Sequence, residues 1–265
     1  MSSGEKREVE AWSKDYRSGH TIPEHNHARG QLLYAVSGVM RVRTRRGAWT
    51  VPPSRAIWIP PRVRHEVRMA SAVAMRTLYV HPDAGFHFPS GCQLLEVSPL
   101  LRELILAGVR NASGRVGTDR LPKILALIEA EVSSAARIGL HVSLPEDLRL
   151  RPICETLLRK PSVRENLRGW TRKTSSSERT LLRLFQQETG VSYRHWRQQV
   201  VLSEAIALLD RKVPVKRVAK QLGYRSVSAF SLMFQQALGQ RPGQFGRTSK
   251  SDPSQVMRIS ARKVR

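Results

Sequence analysis

The sequence predicts an α+β protein of two domains: a small antiparallel β-barrel followed by helices, then an all-α domain holding two helix-turn-helix units. Three observations predict it. Residues 31–80 carry short apolar or alternating runs, punctuated by Gly38, Arg46-Gly47, Pro52-Pro53 and Pro60-Pro61, which is the pattern of short strands with close turns. Further on, Leu184-Phe185-Gln186-Gln187-Glu188-Thr189-Gly190 is echoed by Met233-Phe234-Gln235-Gln236-Ala237-Leu238-Gly239. Each copy ends an amphipathic stretch that opens at a serine (Ser177, Ser226) and closes at a glycine, so one capped helical unit is used twice. The third observation is charge. Against 21 Asp and Glu stand 45 Lys and Arg, a net +24, and the excess is concentrated after residue 158. A polyanionic partner, double-stranded DNA, is the reading that this concentration supports.

The chain order follows from local signals. Strands are expected at 31–37, 39–44, 48–51, 56–59, 66–69 and 75–80. Ser98-Pro99 starts a helix with Leu100, Leu101, Leu104, Ile105 and Val109 on one face, and a second runs over 121–136 with Leu121, Ile124, Leu125, Ile128 and Val132 at i, i+3, i+4, i+7 spacing. This pair packs back on the barrel or supplies a homodimer interface. Residues 141–146 read as the connection between domains, and coupling between them is expected to run through the helices of 98–137 and this connection. A helix is expected at 148–159, kinked or restarted at Pro152. A short helix at 166–173, a serine-rich turn at 175–177 and a second helix at 178–187 make the first helix-turn-helix. A long helix at 192–210 then leads to the second, through Val215, Val218, Ala219, Leu222, the turn at Gly223 and a helix from Ser226. The resulting division is 1–97 for the barrel, 98–140 for the helical linker, 141–246 for the DNA-binding domain and 247–265 for a basic, disordered tail that adds salt-sensitive affinity.

Within the helix at 178–187, Leu181, Leu184 and Phe185 form the buried face and Arg179, Leu182, Arg183 and Gln186 the other, with the arginines one turn apart. Arginines placed so can reach guanine edges or phosphates in the major groove. The alternative is a solvated arginine face. Thr180 joins the expected DNA contacts from the first turn of the same helix.

Ahead of the strands lies a histidine constellation, Gly19-x5-His25-x-His27-x3-Gln31-x6-Gly38, with Pro60-x4-His65 later. It resembles the first and second motifs of the cupin superfamily, with Gln31 where that family's metal-binding glutamate stands. His-x-His places two imidazoles on one face of a strand, and His65 from a neighbouring strand can complete a facial set for a divalent metal. The other reading is that His25, His27, Gln31 and His65 are polar groups lining the mouth of a small-molecule pocket, since the missing glutamate removes the anionic ligand. No carboxylate sits at a spacing that marks a general acid or base, and the protein is expected not to be an enzyme.

Residues 164–245 resemble the double helix-turn-helix domain of the AraC/XylS family of transcriptional regulators. The match rests on Ala219-x2-Leu222-Gly223-Tyr224-x-Ser226-x3-Phe230-x3-Phe234-x4-Gly239-x2-Pro242-x2-Phe245, and in the first half on Ser177-x-Arg179-x-Leu181-x2-Leu184-Phe185-x3-Thr189-Gly190. It departs at Ser175, where a glycine or other small turn residue is common. With the histidine motif, the resemblance implies a cupin-type sensor joined to a sequence-specific DNA reader, both recognition helices entering successive major-groove faces on one side of the duplex. By family position Arg179, Leu182 and Arg183 would face bases in the first helix, and Val227, Ser228 and Leu232 in the second. The second set is poor in donors, so its helix is expected to act through phosphate contacts from Lys216, Arg225 and Ser226 and through thymine methyls. A small-molecule effector and RNA polymerase are the further partners implied. A metal-dependent cupin enzyme with a basic nucleic-acid-associating domain is the rival reading.

Cys92 and Cys154 lack ligand or disulfide-framework spacing, which fits a reducing compartment and an unreactive role. No run approaches the roughly 20 apolar residues of a membrane span. A cytoplasmic protein without a membrane partner is expected.

Overall fold

The computed structural model describes residues 9–85, 87–112, 120–136 and 140–245. The basic tail and most of the segment expected to separate the two linker helices lie outside them. Among the described residues, ten strands form two five-stranded antiparallel sheets. They are β1 (Val9–Tyr16), β2 (Thr21–His25), β3 (Gly30–Ser37), β4 (Met40–Thr44), β5 (Gly47–Val51), β6 (Arg55–Ile59), β7 (His65–Met69), β8 (Val73–Val80), β9 (Gln93–Glu96) and β10 (His141–Ser143). The first sheet runs β1-β8-β3-β6-β9 and the second β10-β5-β4-β7-β2, so the barrel is two facing sheets rather than one closed ladder.

Six strands fall where the alternation predicts them, and Gly38 shows why the β3–β4 turn forms. Its φ is +80°, and a Cβ there would sit 2.0 Å from the Ala72 carbonyl oxygen, so only glycine fits. β3 is buried along both faces. Leu33 and Ala35 enter the core between the sheets, while Leu32 and Tyr34 lie under α1 (Pro99–Ala112) and α2 (Arg120–Ser134). That double burial is why the stretch reads as a continuous apolar run.

Ser98 caps α1 as expected, its Oγ accepting from the Leu101 amide at 3.0 Å. Ile124, Leu125, Ile128 and Val132 of α2 are buried. Two expectations need correction. Residues 141–143 are not a free connection: they form β10, registered against β5 through His141↔Trp49 and Ser143↔Gly47. The helix expected from 148 begins later, as α3 (Arg151–Arg159), with Leu148 88% exposed. Pro152 therefore lies in the first turn, where its missing amide hydrogen costs nothing, and it kinks nothing.

The helical domain continues through a 3₁₀ turn (Leu167–Trp170), α4 (Thr171–Thr174), α5 (Glu178–Thr189), α6 (Tyr193–Asp210), α7 (Val215–Gln221) and α8 (Val227–Leu238). One core joins β10, α3, α5 and the first half of α6 around Phe185 and Trp196. Leu209, Val218, Leu222, Phe230 and Phe234 continue into the second helix-turn-helix unit.

The two domains are docked directly. Trp196 Nε1 donates to the Ser143 carbonyl at 2.6 Å, Ser71 Oγ donates to Asp210 at 2.5 Å, Arg43 pairs with Glu155 at 3.0 Å, and Arg41 pairs with Glu204. The expected coupling route through the helices of 98–137 is therefore not where the domains meet. The helical domain instead packs against the second sheet, and α1 and α2 cover the first.

Candidate nucleic-acid interface and effector pocket

α5 and α8 are built alike. Ser177 Oγ accepts from the Thr180 amide at 3.1 Å and Ser226 Oγ from the Ala229 amide at 3.1 Å, satisfying amide donors that a helix start leaves unpaired. Each helix ends at a left-handed glycine, Gly190 (φ 75°) and Gly239 (φ 70°). The apolar residues of the repeat are inside: Leu181, Phe185, Phe230, Met233 and Phe234 are buried. The opposite faces carry the residues assigned to DNA. Arg179, Arg183 and Gln186 are exposed on α5, and Ser228 on α8.

Exposed apolar side chains mark the same faces. Leu182 (43%), Val227 (40%) and Leu232 (59%) are large hydrophobic residues in water on these two helices, each at a position expected to face bases. Lys216 on α7 and Arg225 and Ser226 before α8 are exposed as well. Two of the expected contacts have local work. Thr180 Oγ1 lies 2.8 Å from Ser177 Oγ in the cap, and the Gln186 amide donates to the Gly190 carbonyl at 2.9 Å, closing the end of α5. The turn before α5 opens at Ser175 with φ 48°, a left-handed conformation for a residue that has a Cβ.

His25, His27 and His65 converge at one end of the space between the sheets, each offering a nitrogen within 4.8 Å of the others. β2 ends at His25 with an irregular register, so His27 reaches the cluster from the loop rather than by strand alternation. Each Nδ1 faces a carbonyl: His25 to Pro23 at 2.8 Å, His27 to Arg29 at 2.5 Å, His65 to Val63 at 2.8 Å. A carbonyl only accepts, so Nδ1 carries the proton and, in the neutral ring, the lone pair sits on Nε2. Burial lowers the His65 pKa to about 4, which keeps that imidazole neutral, and its Nε2 is sealed from solvent without a partner among the described residues.

Gln31 completes the set. Its amide NH₂ donates to Tyr79 Oη at 3.0 Å, which turns Oε1 toward His27 Nε2 at 3.2 Å. Two acceptors then face each other, and either a cation lies between them or the amide is turned over. The donor set fits a divalent ion: three Nε2 atoms on rings whose Nδ1 is held by a carbonyl, plus one amide oxygen. Beside it opens a cavity of about 420 Å³ lined by Trp12, Tyr79, His81, Glu10 and Arg29 together with His25 and His27. None of those five was marked by the sequence. Tyr79 had a usable signal, alternation with Thr77 along β8, whereas Trp12 lies on β1, whose polar content hid the strand.

The thiols are quiet. Burial pushes Cys92 up to about 11 and raises Cys154 further, so neither supplies a thiolate at neutral pH.

The family model described as "AraC-like ligand binding domain" matches residues 10–144, and "Helix-turn-helix domain" matches 170–248. The HTH-type transcriptional regulator NimR of Escherichia coli (strain K12) is 32% identical over 243 residues, covering 89% of each chain. The chain belongs to the AraC family of transcriptional regulators. The arabinose operon regulatory protein of Salmonella typhimurium is 25% identical over 171 residues, 63% of this chain and 58% of that protein. Among solved structures, ToxT from Vibrio cholerae O395 aligns over 93% of this chain and 100% of its own at 13% identity and a TM-score of 0.38. By its two family models, this AraC-family regulator is a DNA-binding transcription regulator with an N-terminal ligand-binding domain. Its family is one of transcriptional regulators. No helix among the described residues is long and apolar enough to cross a membrane.

Proposed function

We propose that the regulator recognises its promoter site chiefly through α5, with Arg179 and Arg183 reading guanine edges and Leu182 lying against base methyls. α8 then positions the protein through Arg225, Ser226 and Lys216, while Val227 and Leu232 make apolar contact. The observation that carries this reading is the unequal pair of exposed faces on two helices that are otherwise capped and closed alike. Genome-wide binding followed by footprinting tests it, and absence of discrete sites at physiological salt would overturn it. At a footprinted site, Arg183→Ala is expected to weaken binding by about 1–3 kcal/mol and to relax preference at one base pair. Equal weakening on all sequences would reassign Arg183 to phosphate.

The effector pocket is the cavity beside the histidines, and His25, His27, His65 and the Gln31 oxygen would hold a divalent cation there. Such an ion would offer the effector an electrophilic anchor. Support comes from the orphaned His65 Nε2 and from the two acceptors that face each other at His27 and Gln31. Metal analysis of the purified protein is expected to find about one transition-metal ion per chain, lost in His25→Ala/His27→Ala. Equal metal content in both proteins would leave the amide-turned, metal-free arrangement.

A homodimer through α1 and α2 is the assembly that exposed Leu100 and Leu127 support, and sedimentation of Leu100→Glu/Leu127→Glu against wild type tests it. RNA polymerase as a partner and a cytoplasmic location accord with a promoter-binding role.

A further inference from the structure

A second cavity, of about 430 Å³, lies outside the barrel, between the outer face of the second sheet and helices α3 and α6. It is separate from the histidine pocket. On β7, His65 and Val67 are buried while Glu66 and Arg68 border this cleft, because successive side chains point to opposite faces.

The charges around the cleft do not balance. Arg41 and Arg68 are direct partners across β4 and β7, and two like charges so placed repel each other. Glu204 from α6 pairs with Arg41 and lies 4.0 Å from Arg211. One carboxylate thus serves two arginines, Arg41 and Arg211, with Arg68 standing beside Arg41 on the next strand. At the neighbouring position, Glu155 takes both Arg43 and Arg151, at 3.0 and 3.3 Å, and Glu66 stands opposite Arg43. Over the whole lining, five arginines face three glutamates. The Arg41 Nε–H is sealed from solvent with no acceptor among the described residues, and a buried donor on a charged group is costly to leave unpaired.

We propose that this cleft binds a small multivalent oxyanion, a polycarboxylate or a phosphate ester, held by Arg41, Arg68 and Arg211. The volume suits a compact metabolite. Charge-assisted contacts to guanidinium groups, partly screened from water by the two domains, give it affinity and a preferred orientation. The ligand neutralises the Arg41–Arg68 pair and joins the sensor sheet to α6. Since its contacts come from both domains, it binds the docked arrangement better than any other and stabilises it by that difference.

The test reads anion binding alone and is independent of how DNA is recognised. Citrate, standing for polycarboxylates, and inorganic pyrophosphate, standing for phosphate esters, are titrated calorimetrically into the full chain at 0.3 M KCl, where diffuse attraction to a basic protein is screened. Wild type is expected to bind one equivalent of at least one probe, which also identifies the source of the oxyanion. Arg68→Ala and Arg211→Ala are each expected to weaken that binding at least about tenfold. Arg64→Ala, which removes a cation 72% exposed on the same domain, is expected to leave it unchanged. Thermal unfolding of each variant without probe checks that it folds. No saturable binding of either probe, or equal weakening in Arg64→Ala and Arg68→Ala, overturns the proposal and assigns the arginines to a general basic surface.

Discussion

Single residues with unusual surroundings are where this fold gives up stability. Ser175 holds φ 48° at the end of α4, a conformation that costs an L-residue about 1–2 kcal/mol. Ser175→Gly is expected to remove that strain at some cost in unfolded-chain entropy, for a net gain of up to about 1 kcal/mol in urea unfolding. His141 is stacked on Trp49 with ring centroids 4.6 Å apart, and burial lowers its pKa. The unfolded chain therefore binds a proton there more readily than the native one. Its contribution is complete above the ordinary imidazole value of 6.5 and is lost as pH falls below it. The drop in melting temperature between pH 7.5 and 5.5 is expected to be smaller in His141→Phe than in wild type.

At the scale of elements, the repeated unit works because its two ends are chemically closed. Ser177 and Ser226 each satisfy an amide three residues on, and Gly190 and Gly239 carry the chain out in the left-handed region. Ser177→Ala and Ser226→Ala are each expected to cost about 1 kcal/mol by chemical denaturation. Because α5 carries the two arginines and α8 does not, loss of the first cap should reduce discrimination between cognate and scrambled DNA, and loss of the second should lower both affinities together. The same repeat was legible from spacing alone: the Phe and Leu or Met positions are core, and the residues before them face outward. Among the strands, β3 announced itself by a run of apolar residues, whereas β1 did not. Most of β1 is polar or exposed at the edge of the first sheet, so neither alternation nor an apolar run marks it.

On the scale of the whole molecule, the sensor sheet and α6 form one contact surface. Glu204 and Asp210 reach across it from α6, to Arg41 and Ser71, and removing the acceptor charge from partly buried hydrogen-bonded groups costs about 1–3 kcal/mol each. Glu204→Gln/Asp210→Asn is expected to uncouple the domains, so that a single calorimetric transition separates into two. A single transition of unchanged width would show that the apolar packing around Val201 and Ala205 suffices. Since β10 belongs to the sensor sheet and is held by Trp196, the boundary between the domains is itself a packed element, and the DNA reader is tied to the sensor at the helix that separates its two units.

The sequence by itself determined the class of fold and the two capped helices with their inward and outward faces, because periods of 3.6 and 2 and the chemistry of caps and turns act over a few residues; it marked the histidines by their spacing, but the loop that carries His27 to the cluster came from the tertiary structure. It also determined that His65 and Glu66 face opposite ways. Only the tertiary structure decided what covers each outward face. Arg41, Arg43 and Arg68 alternate on β4 and β7 as solvated charges would, and nothing local distinguishes a strand face bathed in water from one laid against a helix far along the chain. Trp12, Tyr79 and His81 were likewise assigned to the pocket only by the pairing of β1, β8 and β3, since contacts of that sequence separation leave no periodic trace in any one segment.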